Sequence, residues 1–253
     1  MLVYFSELTD LTEMQFIYCL VSIFVAGVVR GFSGFALSAV VVASMAGTLS
    51  TVELLPMVYL LEAFASLIML RGGIRDADMS IVWVLSICSA IGVPIGLMAT
   101  ISLPIELTRI IALGLILIIA VMQLFNFSPK FVGTRIGLYG TGLIAGIVSG
   151  LAALGGMVVA LYVLASKVDP RSMRGALVMY LFIGLFTSLI WYLIYGIMDV
   201  RAVIRGIVFA PVLFAGVLIG FSLFSPALQV FYKRFCLVLL MCLSLVGLLS
   251  ALA

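Results

Sequence analysis

The most pointed residue of this chain is an arginine where an apolar run meets a glycine-rich break. Arg30 closes the apolar segment 14–30 and is followed at once by Gly31-Phe32-Ser33-Gly34. Inside a bilayer such a cation costs at least about 2.5–3.5 kcal/mol at the midplane. It persists where it meets an anion, and its planar fork fits two oxygens of a sulfonate or carboxylate. The glycines let the chain leave the helix and approach a ligand closely. A helix restarting beyond them offers unpaired N–H groups and the positive end of its dipole, which is an anion seat in itself. Ser33 can cap that helix. The second half carries a comparable break with Ser149-Gly150 and Gly155-Gly156. Arg30, Gly31, Phe32, Ser33, Gly34, Ser149, Gly150, Gly155 and Gly156 are therefore the expected substrate-binding residues. Arg174, at the start of segment 172–195, joins them or serves as a positively charged anchor at the membrane face.

Glu62 lies about nine residues into the apolar segment 53–70, roughly 13 Å deep at 1.5 Å per residue. A carboxylate at that depth is a functional candidate by default. It is expected to carry a proton coupled to substrate movement, or else to pair with Arg30 and hold the empty site together. The sequence contains no histidine, so the commonest general base and metal ligand are missing. The aspartates fall in loops, and no serine stands with a base at nucleophile spacing. Neither an enzyme, a metal site nor a cofactor is expected. No Walker A lysine motif is present, so ATP-driven transport by this chain alone is not expected either.

These residues must be positioned by membrane helices. Of 253 residues, 66% are hydrophobic and only 9% charged, with a mean hydropathy of +1.43. Soluble domains carry about 25% charge, and too few charges remain here to cover a water-facing surface. Cys19, Cys88, Cys236 and Cys242 all sit in apolar runs without a Cys-x-x-Cys pair and read as buried small hydrophobes. The opening residues include Glu7, Asp10 and Glu13 where a cleavable leader would be basic, so none is expected. Nothing in the charge pattern points to a nucleic acid; the expected partners are the lipid bilayer and a small anionic substrate. A homodimer remains open.

The apolar runs divide into ten segments. They are 14–30, 34–49, 53–70, 79–101 and 104–125, then 136–149, 154–167, 172–195, 202–224 and 227–251. The first two of each half are short for a roughly 30 Å core. Each pair is compatible with a re-entrant hairpin or with two tilted spans. The halves also share motifs. Gly27 and Gly31 precede Gly146 and Gly150 by 119 residues, and Gly92 and Gly96 precede Gly216 and Gly220 by 124. Gly73-Ile74 and Asp76 precede Gly196-Ile197 and Asp199 by 123. The chain reads as two membrane repeats, 1–130 and 131–253, within one transmembrane domain. Asp76 and Asp199 are expected to cap the helices that follow them.

Hairpin or double span, either reading returns the chain to one face. Arg71, Arg75, Lys130, Arg135, Lys167, Arg171, Arg174, Lys233 and Arg234 then share a face, against Arg109, Arg201 and Arg205 on the other. Lys and Arg favour the cytoplasmic side, which puts both termini outside. Each half crosses an odd number of times, so the copies insert in opposite senses. The expected fold is an all-α polytopic membrane protein, an inverted repeat of two five-segment units, each opening with a glycine-broken short helical hairpin. Inverted repeats in membranes bind substrate near the midplane, at the interface of the copies.

At this point the chain resembles the sulfite exporter TauE/SafE family, also called the 4-toluene sulfonate uptake permease family. The resemblance rests on Ala26-Gly27-Val28-Val29-Arg30-Gly31-Phe32-Ser33-Gly34-Phe35 and Ala145-Gly146-Ile147-Val148-Ser149-Gly150, on Gly-Ile-x-Asp at Gly73 and again at Gly196, and on the late Gly-x-x-x-Gly of each half. The family's Gly-Gly-Gly run with a following proline is missing from both hairpins. The resemblance implies a multi-pass protein of the inner (plasma) membrane, transporting sulfite, a sulfonate or a related small acid. An anion channel with passive conduction is the alternative.

Overall fold

The computed structural model describes residues 2–127, 133–165, 170–223 and 229–252. Lys130, Lys167 and the 130–131 repeat boundary fall outside them, as does the side chain of Lys233. The described residues form eleven helices. They are α1 (Leu2–Thr9), α2 (Glu13–Ser33), α3 (Leu37–Met45), α4 (Thr51–Asp76), α5 (Met79–Ser102), α6 (Ile105–Leu124), α7 (Arg135–Ala152), α8 (Gly155–Ala165), α9 (Pro170–Ile194), α10 (Val200–Ser222) and α11 (Gln229–Leu252). The ten expected segments become α2 to α11; α1 is additional.

Eight of these helices are long and apolar enough to cross a membrane. Helices α3 and α8 are not among them: 9 and 11 residues reach only about 13 and 16 Å. The expectation of two short arms in each hairpin is corrected. The first arms, α2 and α7, have 21 and 18 residues, and only the second arms are short. Arg30 does not end the first arm, because its charge is neutralised inside the bundle and the helix continues to Ser33.

Local signals fix the helix ends. Thr12 with Gln15, and Ser50 with Glu53, form capping boxes at the starts of α2 and α4. The hairpin turns break at matching places. Gly34 (φ 82°) ends α2 and Ala153 (φ 59°) ends α7, both left-handed and 119 residues apart. Glycine adopts that conformation freely, whereas Ala153 holds it under strain. Three capping expectations are corrected. Ser33 does not cap α3; Ala36 occupies that position without a side-chain bond. Asp76 is the last residue of α4, and Asp78 caps α5 through Ser80 N. The Ser80 hydroxyl bonded to Asp78 holds its carboxyl below the usual range. Asp199 precedes α10 but makes no cap bond.

The glycine pairs join the halves crosswise. On α2, a Cβ at Gly27 would lie 2.9 Å from Leu213 O, and one at Gly31 would lie 2.9 Å from Phe221 N, both on α10. On α5, a Cβ at Gly92 would lie 2.8 Å from Ile147 N, and one at Gly96 2.9 Å from Leu151 N, both on α7. Backbones touch at both seams, the close approach that small residues allow in lipid. The contacts advance together along each pair, so α2 runs parallel to α10 and α5 parallel to α7. By contrast α4 and α9 run antiparallel: Tyr59 meets Tyr192 at one end, and Gly73 meets Val178 and Met179 at the other. Helices α6 and α11 are antiparallel too, with Arg109 donating to Ser250 and Gly247 packed on Leu113.

The outward faces stay apolar. On α5, Ile87, Ile91, Ile95 and Met98 are exposed at helical spacing, opposite the buried Ser89, Gly92 and Gly96. Such a stripe suits lipid and would be a liability in water. This is an all-α, multi-pass membrane protein.

Candidate functional site

The site begins with a buried charge. Arg30, in the last turn of α2, is fully enclosed. Its Nε lies 3.2 Å from Glu62 Oε2 of α4. Its Nη2 donates to Ser66 Oγ at 2.9 Å, and its Nη1 to the Gly34 carbonyl in the hairpin turn. Glu62 is only 6% exposed, and its Oε1 also accepts from the Ser38 amide at 3.4 Å. That amide belongs to the first turn of α3. A carboxylate therefore sits where sequence reasoning expected an anion, between the guanidinium and a helix N-terminus. The anion is the protein's own.

Glu62 also faces a cavity of about 60 Å³. Helices α4, α5, α7 and α9 and the α7–α8 turn line it. Its wall combines Tyr59, Ser89, Ser149, Tyr180, Thr187, Ser188 and Tyr192 with Val58, Val93, Leu181 and Leu185. Glu62, Ser89 and Tyr180 to Gly184 all lie near the middles of their helices, so the cavity is central in the bundle. Tyr180 and Ser89 hydroxyls lie 2.9 Å apart, and Ser149 is a second hydroxyl partner of Tyr180. Gly155 packs beneath them: a Cβ there would stand 2.8 Å from Tyr180 Oη. Sequence reasoning missed Tyr59, Ser89, Tyr180 and Tyr192. Their only signal is depth, a hydroxyl near the middle of an apolar run.

The remaining expected residues have other surroundings. Gly31 and Gly150 face the backbones of α10 and α5 at the two seams. The Phe32 side chain is buried. Ser33 Oγ is spent within the turn, donating to Val29 O or Phe35 O at 2.7 Å and accepting from Phe35 N. Gly156 packs on Leu181. Arg174 does not reach the central cavity. It donates to Gly31 O at 2.6 Å, and its guanidinium lies 4.9 Å over the Phe221 ring. With Asp76 and Arg171 it lines a second cavity of about 100 Å³ at the α4–α9 end of the bundle.

At the opposite end a polar network ties α1 to the bundle. Arg205 donates to Thr9 O at 2.8 Å and pairs with Glu53 at 3.4 Å, while Arg201 pairs with Asp10 at 2.7 Å.

A helical bundle of membrane spans around a central cavity bordered by a carboxylate and hydroxyls is an architecture of polytopic transport proteins. The sulfite exporter TauE/SafE family model matches residues 19–247, and the chain belongs to that family of membrane transporters. Neither the curated proteins nor the solved structures compared with it gave a match.

Proposed function

We propose that this chain is a secondary transporter of a small oxyanion, sulfite, a sulfonate or a related acid, with Glu62 as the proton-coupling residue. One observation carries the reading: the Glu62 carboxylate occupies the anion seat made by Arg30 and the Ser38 amide while bordering the central cavity. Substrate anion and ionised Glu62 compete for one cation. Protonating Glu62 dissolves the pair and frees Arg30 for substrate; loss of the proton expels the anion. Arg30 is the charged group paired with Glu62 among the described residues, and Tyr59, Tyr180 and Tyr192 are the other titratable groups lining that cavity.

The packing supports an inverted repeat. An operation that exchanges α4 with α9, and α6 with α11, reverses their directions, so its axis lies across the helices, in the plane of the membrane. The same axis relates the α2–α10 seam to the α5–α7 seam. We take the repeats as 1–130 and 131–253, in the inner membrane, with both termini outside.

The test uses purified protein in liposomes. Glu62→Gln is expected to keep counterflow of labelled sulfite and to lose accumulation driven by an imposed pH gradient. Concentrative uptake by that variant would end the coupling role.

A further inference from the structure

Glu62, with Arg30 behind it, accounts for one wall of the central cavity; the opposite wall carries no charge. We infer that Tyr180, Ser89 and Ser149 form the oxygen-recognition half of the substrate site, selecting a small compact oxyanion by O–H donation. This rests on the transport reading above. Three observations carry it.

The first is the hydrogen-bond count. Three hydroxyls bring three protons. The Ser89–Tyr180 bond uses one of them and the contact of Ser149 with Tyr180 at most one more, whichever way each points. At least one O–H is left for a third party, and the cavity that all three line is where it can be received. In a water-poor interior an unmet donor costs more than in solvent, so a site with a spare proton favours an acceptor.

The second is that the cluster is assembled from three elements and both halves. Ser89 comes from α5, Ser149 from α7 and Tyr180 from α9. Ser89 and Tyr180 are 6% and 2% exposed. Gly155 leaves room for both other hydroxyls, since any side chain there would strike Ser149 Oγ and Tyr180 Oη. Ser149 also stands 119 residues after Arg30, each directly before the glycine that seals its seam. The equivalent helix positions thus offer a cation in one half and a hydroxyl in the other.

The third is size. A water needs about 10–15 Å³ of such space, so a cavity of about 60 Å³ has room for a handful of heavy atoms. Val58, Val93, Leu181 and Leu185 make the rest of the wall apolar. An anion with oxygens crowded on one centre can accept from the hydroxyls and, once Glu62 is protonated, face Arg30 behind it. A ring-bearing sulfonate would have to extend through the cavity's open side.

The experiment measures counterflow of sulfite, acetate and benzenesulfonate in liposomes. Tyr180→Phe removes one oxygen and keeps the packing. It is expected to raise KM for sulfite about tenfold, leave the maximal rate within about twofold, narrow the preference for sulfite over acetate, and lower the ligand-free melting temperature only by the loss of the Ser89 hydrogen bond. Parental KM and parental preference in Tyr180→Phe would overturn the hydroxyl assignment while leaving transport intact. Should that variant not fold, Ser149→Ala, at a half-buried position, carries the same measurement with the same two outcomes. Benzenesulfonate exchanged by the parent as readily as sulfite would overturn the size limit. A parent that exchanges none of the three anions would instead overturn the transport reading and this inference with it.

Discussion

Glu62 Oε2 stands 3.2 Å from Arg30 Nε in the interior of the bundle, with Arg30 fully enclosed and Glu62 at the edge of the central cavity. Removing one partner of a buried pair leaves an uncompensated charge, at a cost of roughly 3–5 kcal/mol, whereas replacing both by apolar groups can be neutral. Glu62→Leu is therefore expected to lower the melting temperature of the purified protein sharply, and Arg30→Met with Glu62→Leu to recover most of the loss. Scanning calorimetry in detergent checks this. A double variant no more stable than Glu62→Leu would mean that the pair is not coupled.

The two glycine seams make a second prediction. Gly31 and Gly150 have partner backbone where a Cβ would go, while Gly114 on α6 has nothing within 4 Å. Overpacking costs roughly 1–3 kcal/mol, and Gly to Ala in an open helix gains about 0.5–1 kcal/mol. Gly31→Val and Gly150→Val should lower folded yield and melting temperature; Gly114→Ala should keep or raise both. Fluorescence-detected size exclusion after heating gives the comparison, and equal tolerance at all three would remove the seams as the reason for these glycines.

How much of this was legible in the sequence follows from what each residue type announces. Apolar runs reveal helices, so the order of α2 to α11 could be read. Gly27-x-x-x-Gly31 announces close approach but not to whom, and the crosswise partners Gly216 and Gly220 emerge only from packing. Arg30 and Glu62 stand out because a charge is costly in an apolar run, and their pairing was one of two readings. The long first arm is hidden by the same charge: an arginine reads as the end of an apolar segment, whereas a carboxylate from α4 lets the helix continue. Ser89 and Tyr180 were invisible because a hydroxyl in a membrane helix is cheap and common, and only their convergence with Ser149 distinguishes them.

Arg174 yields a third prediction. Its Nη2 holds the Gly31 carbonyl at 2.6 Å, and its side chain covers Gly34 and stacks on Phe221. At the other hairpin, the Thr100 hydroxyl has Leu151 O at 3.0 Å, Gly150 O at 3.2 Å and Gly96 O of its own helix at 3.2 Å as acceptors for its one proton. Each turn is thus tied by a side chain from the opposite half, one by a cation and one by a neutral hydroxyl. A hydrogen bond from a charged donor is worth about 1.5–3 kcal/mol, against about 1 for a neutral one. In a cysteine-free background, a cysteine at Ser33 should react with maleimide several-fold faster when Arg174 is changed to Ala. Thr100→Val should have a smaller effect on a cysteine at Ala152. Labelling at Ser33 that ignores Arg174 would show that the turn is held by other contacts.

The last prediction concerns sidedness, where charge and packing can be tested together. Arg71 and Arg75 end α4, and Arg171 and Arg174 begin α9 at the same end of that antiparallel pair. The other end holds Asp199, Arg201 and Arg205, with Glu53 and the start of α4. Basic residues favour the cytoplasmic side through the loops near the spans, so the first end is expected inside and the second outside. Arg75 and Asp199 are both exposed, and Arg75 directly precedes Asp76, the equivalent of Asp199 at the offset of 123. If the halves insert in opposite senses, these equivalent positions must lie on opposite faces. Arg75→Cys and Asp199→Cys, each in a cysteine-free protein, are treated on intact cells with a membrane-impermeant maleimide. Asp199→Cys should label at once and Arg75→Cys only after permeabilisation. The reverse result would invert the orientation but keep the inverted repeat. Labelling of both from one side would sink the inverted repeat itself, because no rotation about an axis in the membrane plane leaves equivalent loops on the same face.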